Sequence, residues 1–177
     1  MSKTREIVTK AVVGKGKRSF TTTKTVTPKD IPDTILGCWV INHNYEGKKN
    51  NNKIDIDGSY DINIWYSTGN DTKTEVIKDT NIYHEEVLSP DITENITNEE
   101  VVIRSLKQPT CIRCDIVDGN IEYTIEKELG VEIVGDVKVK ISYDEEEDPW
   151  QVIEESKNEK IDKEIDREVE ENYLDKN

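Results

Sequence analysis

The stretch Lys53–Tyr66, KIDIDGSYDINIWY, constrains the fold more than any other part of the chain. Ile54, Ile56, Gly58, Tyr60, Ile62, Ile64 and Tyr66 share one parity; Lys53, Asp55, Asp57, Ser59, Asp61, Asn63 and Trp65 share the other. Successive side chains of a strand point to opposite faces, so this pattern makes one apolar and one polar face. A helix would spread the isoleucines around its whole circumference. Ile and Tyr also suit a half-buried pleated surface. The run exceeds the common strand length of about 5–6 residues, and Gly58, with no side chain to pack, marks a bulge, a bend or a close neighbour. Trp65 is the one large apolar residue on the polar face. An exposed Trp is a frequent interface anchor, so Trp65 is the candidate oligomer contact. The alternative is that it packs beneath the basic amino-terminal hairpin.

The same alternation recurs along the chain. Arg5–Val13 and Arg18–Val26 flank Gly14-Lys15-Gly16-Lys17 and read as a hairpin. Ile35–Tyr45 is apolar on both faces at its start, placing Ile35, Gly37, Trp39, Ile41, His43 and Tyr45 on one parity; it is expected to pair antiparallel with Lys53–Tyr66. Gly69-Asn70 is a turn, Lys73–Leu88 a strand, and Ser89–Glu100 a loop. Val101–Leu106 is ambiguous and stops at Pro109; Cys111–Val117 alternates again. Asp118-Gly119-Asn120 is a strong hairpin signal, leading into Ile121–Glu126 and then Val131–Tyr143. The expectation is an all-β fold, an antiparallel β-sandwich of roughly eight or nine strands.

The charge is unevenly placed. The net charge is −14, with 35% charged and 33% apolar residues. About fifteen acids and five bases lie in 144–177, a local net near −10, whereas 1–29 holds eight bases and one acid. This divides the chain into a β-sandwich scaffold domain, 1–143, and an acidic tail, 144–177. In the tail Trp150, Ile153, Ile161, Ile165, Val169 and Tyr173 form a narrow apolar stripe. Such a tail is either solvated and disordered or a helix that becomes stable on a partner, which makes those six residues the candidate partner-binding set. An acidic chain is a poor ligand for nucleic acid. No stretch approaches the about 18 apolar residues of a membrane span, and no secretory leader is evident. A soluble chain made in the cytoplasm, without membrane insertion, is expected.

Chemistry-bearing motifs are sparse. Gly14–Lys17 lacks the spacing of a phosphate loop and reads as a basic turn. Cys111-x-x-Cys114 resembles half a zinc site or a redox pair, with Cys38, His43 and His84 as the remaining ligands. On a regular strand, positions three apart face opposite ways, which disfavours both readings. Cys38, Cys111 and Cys114 are therefore candidates for cross-linking between subunits. His43 reads as a partly exposed polar contact, and Asp55, Asp57 and Asp61 as a solvated face without the loop of a calcium site. No reaction can be assembled from these parts, so neither catalysis nor a cofactor is expected. The open classes are a self-assembling scaffold and a soluble ligand- or carbohydrate-binding β-module.

Longer matches go further. Ile35-Leu36-Gly37, Trp39, Ile41-Asn42-His43, Tyr45, Gly58, Tyr60-Asp61-Ile62-Asn63, Trp65-Tyr66-Ser67 and Thr72-Lys73-Thr74-Glu75-Val76 resemble the outer spore coat morphogenetic protein family, CotE. Arg5-Glu6-Ile7, Thr9–Val13 and Gln108-Pro109 with Cys111 extend the resemblance from Arg5 to about Tyr143. Cys38, Cys114 and the mixed charge after Trp150 depart from the pattern. The resemblance implies a non-enzymatic scaffold made in the mother-cell cytoplasm and assembled into the spore coat. It implies three kinds of partner: other copies of itself, a basement-layer morphogenetic protein, and outer coat proteins that it recruits.

Overall fold

The computed structural model describes residues 3–92 and 94–143. They form six strands and, among the described residues, no helix: β1 Lys3–Val26, β2 Pro32–Asn50, β3 Lys53–Thr68, β4 Lys73–Leu88, β5 Thr97–Val117 and β6 Asn120–Tyr143. The strands make two three-stranded antiparallel sheets, ordered β1-β6-β5 and β2-β3-β4. Ile7–Val139 forms one compact unit; the second takes in the chain's two ends. In that second unit Arg5 stacks over the Tyr143 ring at 4.9 Å and Lys140 pairs with Glu6 at 3.7 Å.

Six strands replace the eight or nine expected, because three breaks in the sequence pattern are not strand ends. β1 runs 24 residues through Gly14–Lys17, where no hairpin forms. β5 runs through Pro109. Proline removes a ladder donor but is tolerated on an edge strand, and β5 is an edge with its register shifted between Lys107 and Thr110. β6 runs through Lys127–Gly130, with Ile121, Tyr123, Ile125, Lys127, Leu129, Val131, Ile133, Gly135 and Val137 all buried on one parity. Two expected turns do form. Asp118 and Gly119 have φ of 50° and 77°, the pair of positive values a two-residue type I′ turn requires. Gly69 and Asn70, at 64° and 56°, turn β3 into β4.

The core of Ile7–Val139 lies between the central strands β3 and β6. One cluster contains Ile54 and Ile56 of β3, Leu129, Val131 and Ile133 of β6, Phe20 and Val87. The other contains Tyr60, Ile62, Ile64 and Tyr66 of β3 with Ile121, Tyr123 and Ile125 of β6. Each fully buried Ile contributes about 1.5–3 kcal/mol relative to exposure, so this strand pair holds most of the hydrophobic stabilisation. β3 pairs with β4 without a register break from Lys53↔Leu88 to Thr68↔Lys73. Gly58 proves to be a close approach: a Cβ there would meet the Tyr83 ring and hydroxyl at 2.3 Å.

β2 and β5 flank the central strands and lie against each other. Both are bulged. β2 shifts register at three places and β5 at four. Each added residue reverses the parity of the residues beyond it, and these reversals set the exposed chemistry.

Candidate functional site

The outward face of the β2-β3-β4 sheet carries the most exposed aromatic surface among the described residues. Trp65 lies on it, 40% exposed, on the polar parity of β3. With no amino-terminal hairpin, the alternative of burial beneath one falls away. Trp65 pairs with Gly37 of β2 and Val76 of β4. Trp39, two residues beyond Gly37, folds its indole back over that glycine: a Cβ at position 37 would lie 2.2–2.8 Å from three of its ring atoms. Trp39 is 52% exposed and Ile41, next along the same face, 46%. Gly37 thus makes room for one indole beside another. Parity alone hid this pair, because the shift between Ile41 and Asn44 sends Trp39 and Ile41 outward while Tyr45 packs against the core. The signal was Gly-x-Trp on a strand paired with a second Trp. Next to the indoles is a polar hollow lined by Ile41, Asp61, Asn63, Lys78, Asp79 and Thr80.

The three cysteines converge. Cys111 and Cys114 do not face opposite ways, because the register shifts between Cys111↔Ile125 and Arg113↔Thr124. Ile112 is the extra residue, and it turns both thiols inward. They meet Cys38 of β2, which pairs with Ile64 on the core side of the other sheet. The three sulfurs lie within 4.8 Å of one another, each half-buried and free of disulfide. Cys111 Sγ donates to the Arg113 carbonyl at 3.2 Å. Burial pushes the Cys111 thiol up. Cys38 is also raised, first because its hydrogen is shared with Cys114 and then by burial. Cys114, accepting that hydrogen bond, is lowered.

Between the two apolar clusters runs a polar layer that the sequence reading missed. Lys127 occupies a core position of β6 and is 2% exposed. Its ammonium lies 2.8 Å from Glu85 Oε1 and 4.0 Å from the Tyr83 ring centroid, with Phe20 at 5.1 Å. Such a charge is held inside by its carboxylate partner and by the negative faces of the rings. The Tyr83 hydroxyl donates to His43 Nε2 at 2.7 Å, and His43 Nδ1 donates to Gln108 Oε1 at 3.1 Å. This arrangement suits a neutral imidazole, and burial holds the pKa of His43 below its ordinary value. Nearby, the buried amide of Asn81 accepts from Lys24 and donates to the Tyr123 hydroxyl at 3.1 Å. His43 is therefore a packed, half-buried part of this layer. Continuing the odd parity of Ile121–Val137 through Lys127 would have revealed the layer's centre.

The aspartates of β3 are occupied by neighbours. Asp57 binds His84 Nδ1 at 2.7 Å, which raises the His84 pKa. Asp61 accepts from Asn42 at 2.8 Å and from Thr80 at 2.7 Å, which lowers its own. A cleft lined by Gly16, Lys17, Arg18, Val87, Leu88 and Val131 holds about 250 Å³, below the about 300 Å³ at which ligand pockets usually begin, whereas the open polar hollow beside the indoles holds about 500 Å³. Trp150, Ile153, Ile161, Ile165, Val169 and Tyr173 lie outside the described residues.

Long paired strands, a core filled by their own side chains and an aromatic outward face define an all-β protein whose distinctive exposed chemistry suits contact with other macromolecules. The chain belongs to the outer spore coat protein E (CotE) family, whose model matches residues 3–176, nearly its whole length. It is thus a member of a structural, morphogenetic family of the outer spore coat. No curated protein and no solved structure matches it significantly.

Proposed function

We propose that this chain is a self-assembling scaffold of the outer spore coat. Its β domain, 1–143, joins copies of itself through the outward face of the β2-β3-β4 sheet, and the acidic tail, 144–177, recruits coat proteins. The observation that carries this reading is the pair of exposed indoles on this face, Trp39 folded over Gly37 and Trp65 paired with Gly37 across the strands. Aromatic anchors of this kind dominate interface energetics. The face also bears both signs of charge, with Lys78 beside Asp61 and Asp79. A patch carrying both signs can complement itself across a two-fold axis. The edge strands β1 and β4 offer unpaired backbone groups that could extend the assembly. Attachment to a basement-layer morphogenetic protein belongs to the same reading and rests on the family alone.

Size-exclusion chromatography with light scattering tests the first half. The full chain is expected to form large, concentration-dependent assemblies, and W39A/W65A to shift towards monomer with an unchanged circular dichroism spectrum. A folded double variant that assembles like the parent excludes this face. A monomeric parent favours the ligand-binding class instead. A chain ending at Tyr143 tests the second half. It is expected to fold and assemble, while coats made with it lack outer proteins. If those coats are complete, client binding lies on the β domain.

A further inference from the structure

We propose that Cys38, Cys111 and Cys114 form a three-thiolate site for one soft d10 cation, Cu(I), bridging the two sheets. Three features of the fold converge on it. The Ile112 bulge brings two cysteines, three apart in sequence, onto one face of β5. Cys38 meets them from β2, in the other sheet, at the seam where β2 and β5 lie together. The three sulfurs are already within 4.8 Å of one another. A cation about 2.3 Å from each sulfur, lying in their plane, would set them about 4.0 Å apart. Closing the site therefore takes less than about 1 Å of movement, within reach of side-chain rotation.

The surroundings select the ion. Cys38, Cys111 and Cys114 pack against the cluster of Ile62, Ile64, Tyr66 and Tyr123. Among the described residues no His, Asp, Glu or further Cys joins the three as a fourth donor. Structural zinc sites want four tetrahedral ligands. Soft thiolates without nitrogen or oxygen donors favour Cu(I), which is content with three. Binding breaks three S–H bonds, releases three protons to solvent and forms three Cu–S bonds. The ion stays Cu(I), so no electron is transferred. Because binding releases three protons, uptake should strengthen with rising pH. A bound ion would cross-link the sheets and stabilise the folded chain through linkage.

The test uses full-length protein purified anaerobically and fully reduced. Cu(I) is supplied from a colorimetric chelator, and Zn²⁺ in a parallel arm. Expected are three reactive thiols before loading, uptake of one Cu(I) per chain with ultraviolet thiolate-to-copper absorption, protection of all three thiols from alkylation, and a raised melting temperature. Zn²⁺ should bind at least tenfold more weakly. C38S and C114S should each lower Cu(I) affinity by a hundredfold or more, whereas V8A, at an exposed position of β1, leaves it unchanged. No uptake by the reduced parent chain overturns the proposal without reference to any variant. So does Zn²⁺ bound more tightly than Cu(I), or undiminished Cu(I) affinity in a folded C38S.

Discussion

The central strands β3 and β6 and the flanking strands β2 and β5 face each other across the same core, yet they use their residues differently. β3 keeps one parity from Ile54 to Tyr66, and β6 keeps one from Ile121 to Val137. Both are paired on two sides, so a register slip would turn a whole apolar row to solvent. β2 and β5 are edges of their sheets and absorb extra residues at Leu36, Asn42 and Ile112 among other places. Those bulges release side chains from the alternation: an indole pair emerges on one face, and three thiols gather at the seam. The centre supplies stability, and the edges supply chemistry.

Substitutions in both regions and a pH titration would break or sharpen that contrast. The largest effect is expected where the centre carries a charge. E85A leaves the Lys127 ammonium buried without its carboxylate and should cost about 3–5 kcal/mol by urea unfolding, with E85M/K127M recovering most of the loss. A cost below about 1 kcal/mol would mean that Lys127 reaches water. Next, I62A at a fully buried central position should cost about 2–5 kcal/mol. I41A, on the exposed face of adjoining β2, should stay within about 0.5 kcal/mol in dilute protein. Equal losses would erase the division between centre and edge.

A smaller effect tests a bulge directly. Asn42 has φ of 55°, the left-handed region that L residues enter at a cost of about 1–2 kcal/mol and glycine enters freely. N42A should therefore destabilise by about 1 kcal/mol and N42G by less, although both lose the bond to Asp61. The smallest effect is a slope. Burial depresses the pKa of His43 in the folded chain, so the unfolded chain binds the proton first. Stability should fall as pH drops from about 6.5 through the lower folded value, and H43Q should flatten that decline. His84 works in the opposite sense: Asp57 raises its pKa, so its contribution is full below about pH 6.5 and lost as pH rises through the folded value. H84Q should therefore remove the loss of stability on the alkaline side of about pH 6.5 and lower the stability below it, leaving the His43 decline in place.

How much was legible depends on how local each signal is. The alternation of Lys53–Tyr66 predicted the buried face of β3 residue by residue, and Asp118-Gly119 predicted the β5–β6 turn. Gly14–Lys17, Pro109 and Lys127–Gly130 carried equally local signals that suggested strand ends. They were overridden, because a strand's length depends on its neighbours' ladders. Trp65 was legible because its parity was undisturbed. Its companion Trp39 was not, since its face depends on the added residue at Asn42.

By itself the sequence determined the all-β class, the apolar faces of the central strands, the two glycine turns and the acidic character of the tail. Each of these rests on a period of two, a turn dipeptide or a charge count, all of which are properties of neighbours along the chain. Tertiary structure decided the strand count, the burial of Lys127 against Glu85 and Tyr83, the stacking of Trp39 over Gly37 and the meeting of Cys38 with Cys111 and Cys114. Each of these depends on how strands meet: neighbouring ladders set the strand count, the β2 bulges set the face of Trp39, Lys127 and the thiols meet partners on other strands, and a bulge at Ile112 inverts the parity that spacing alone implies. A bulge forms where a partner strand takes up the pairing one residue later, and only the assembled sheets specify that partner.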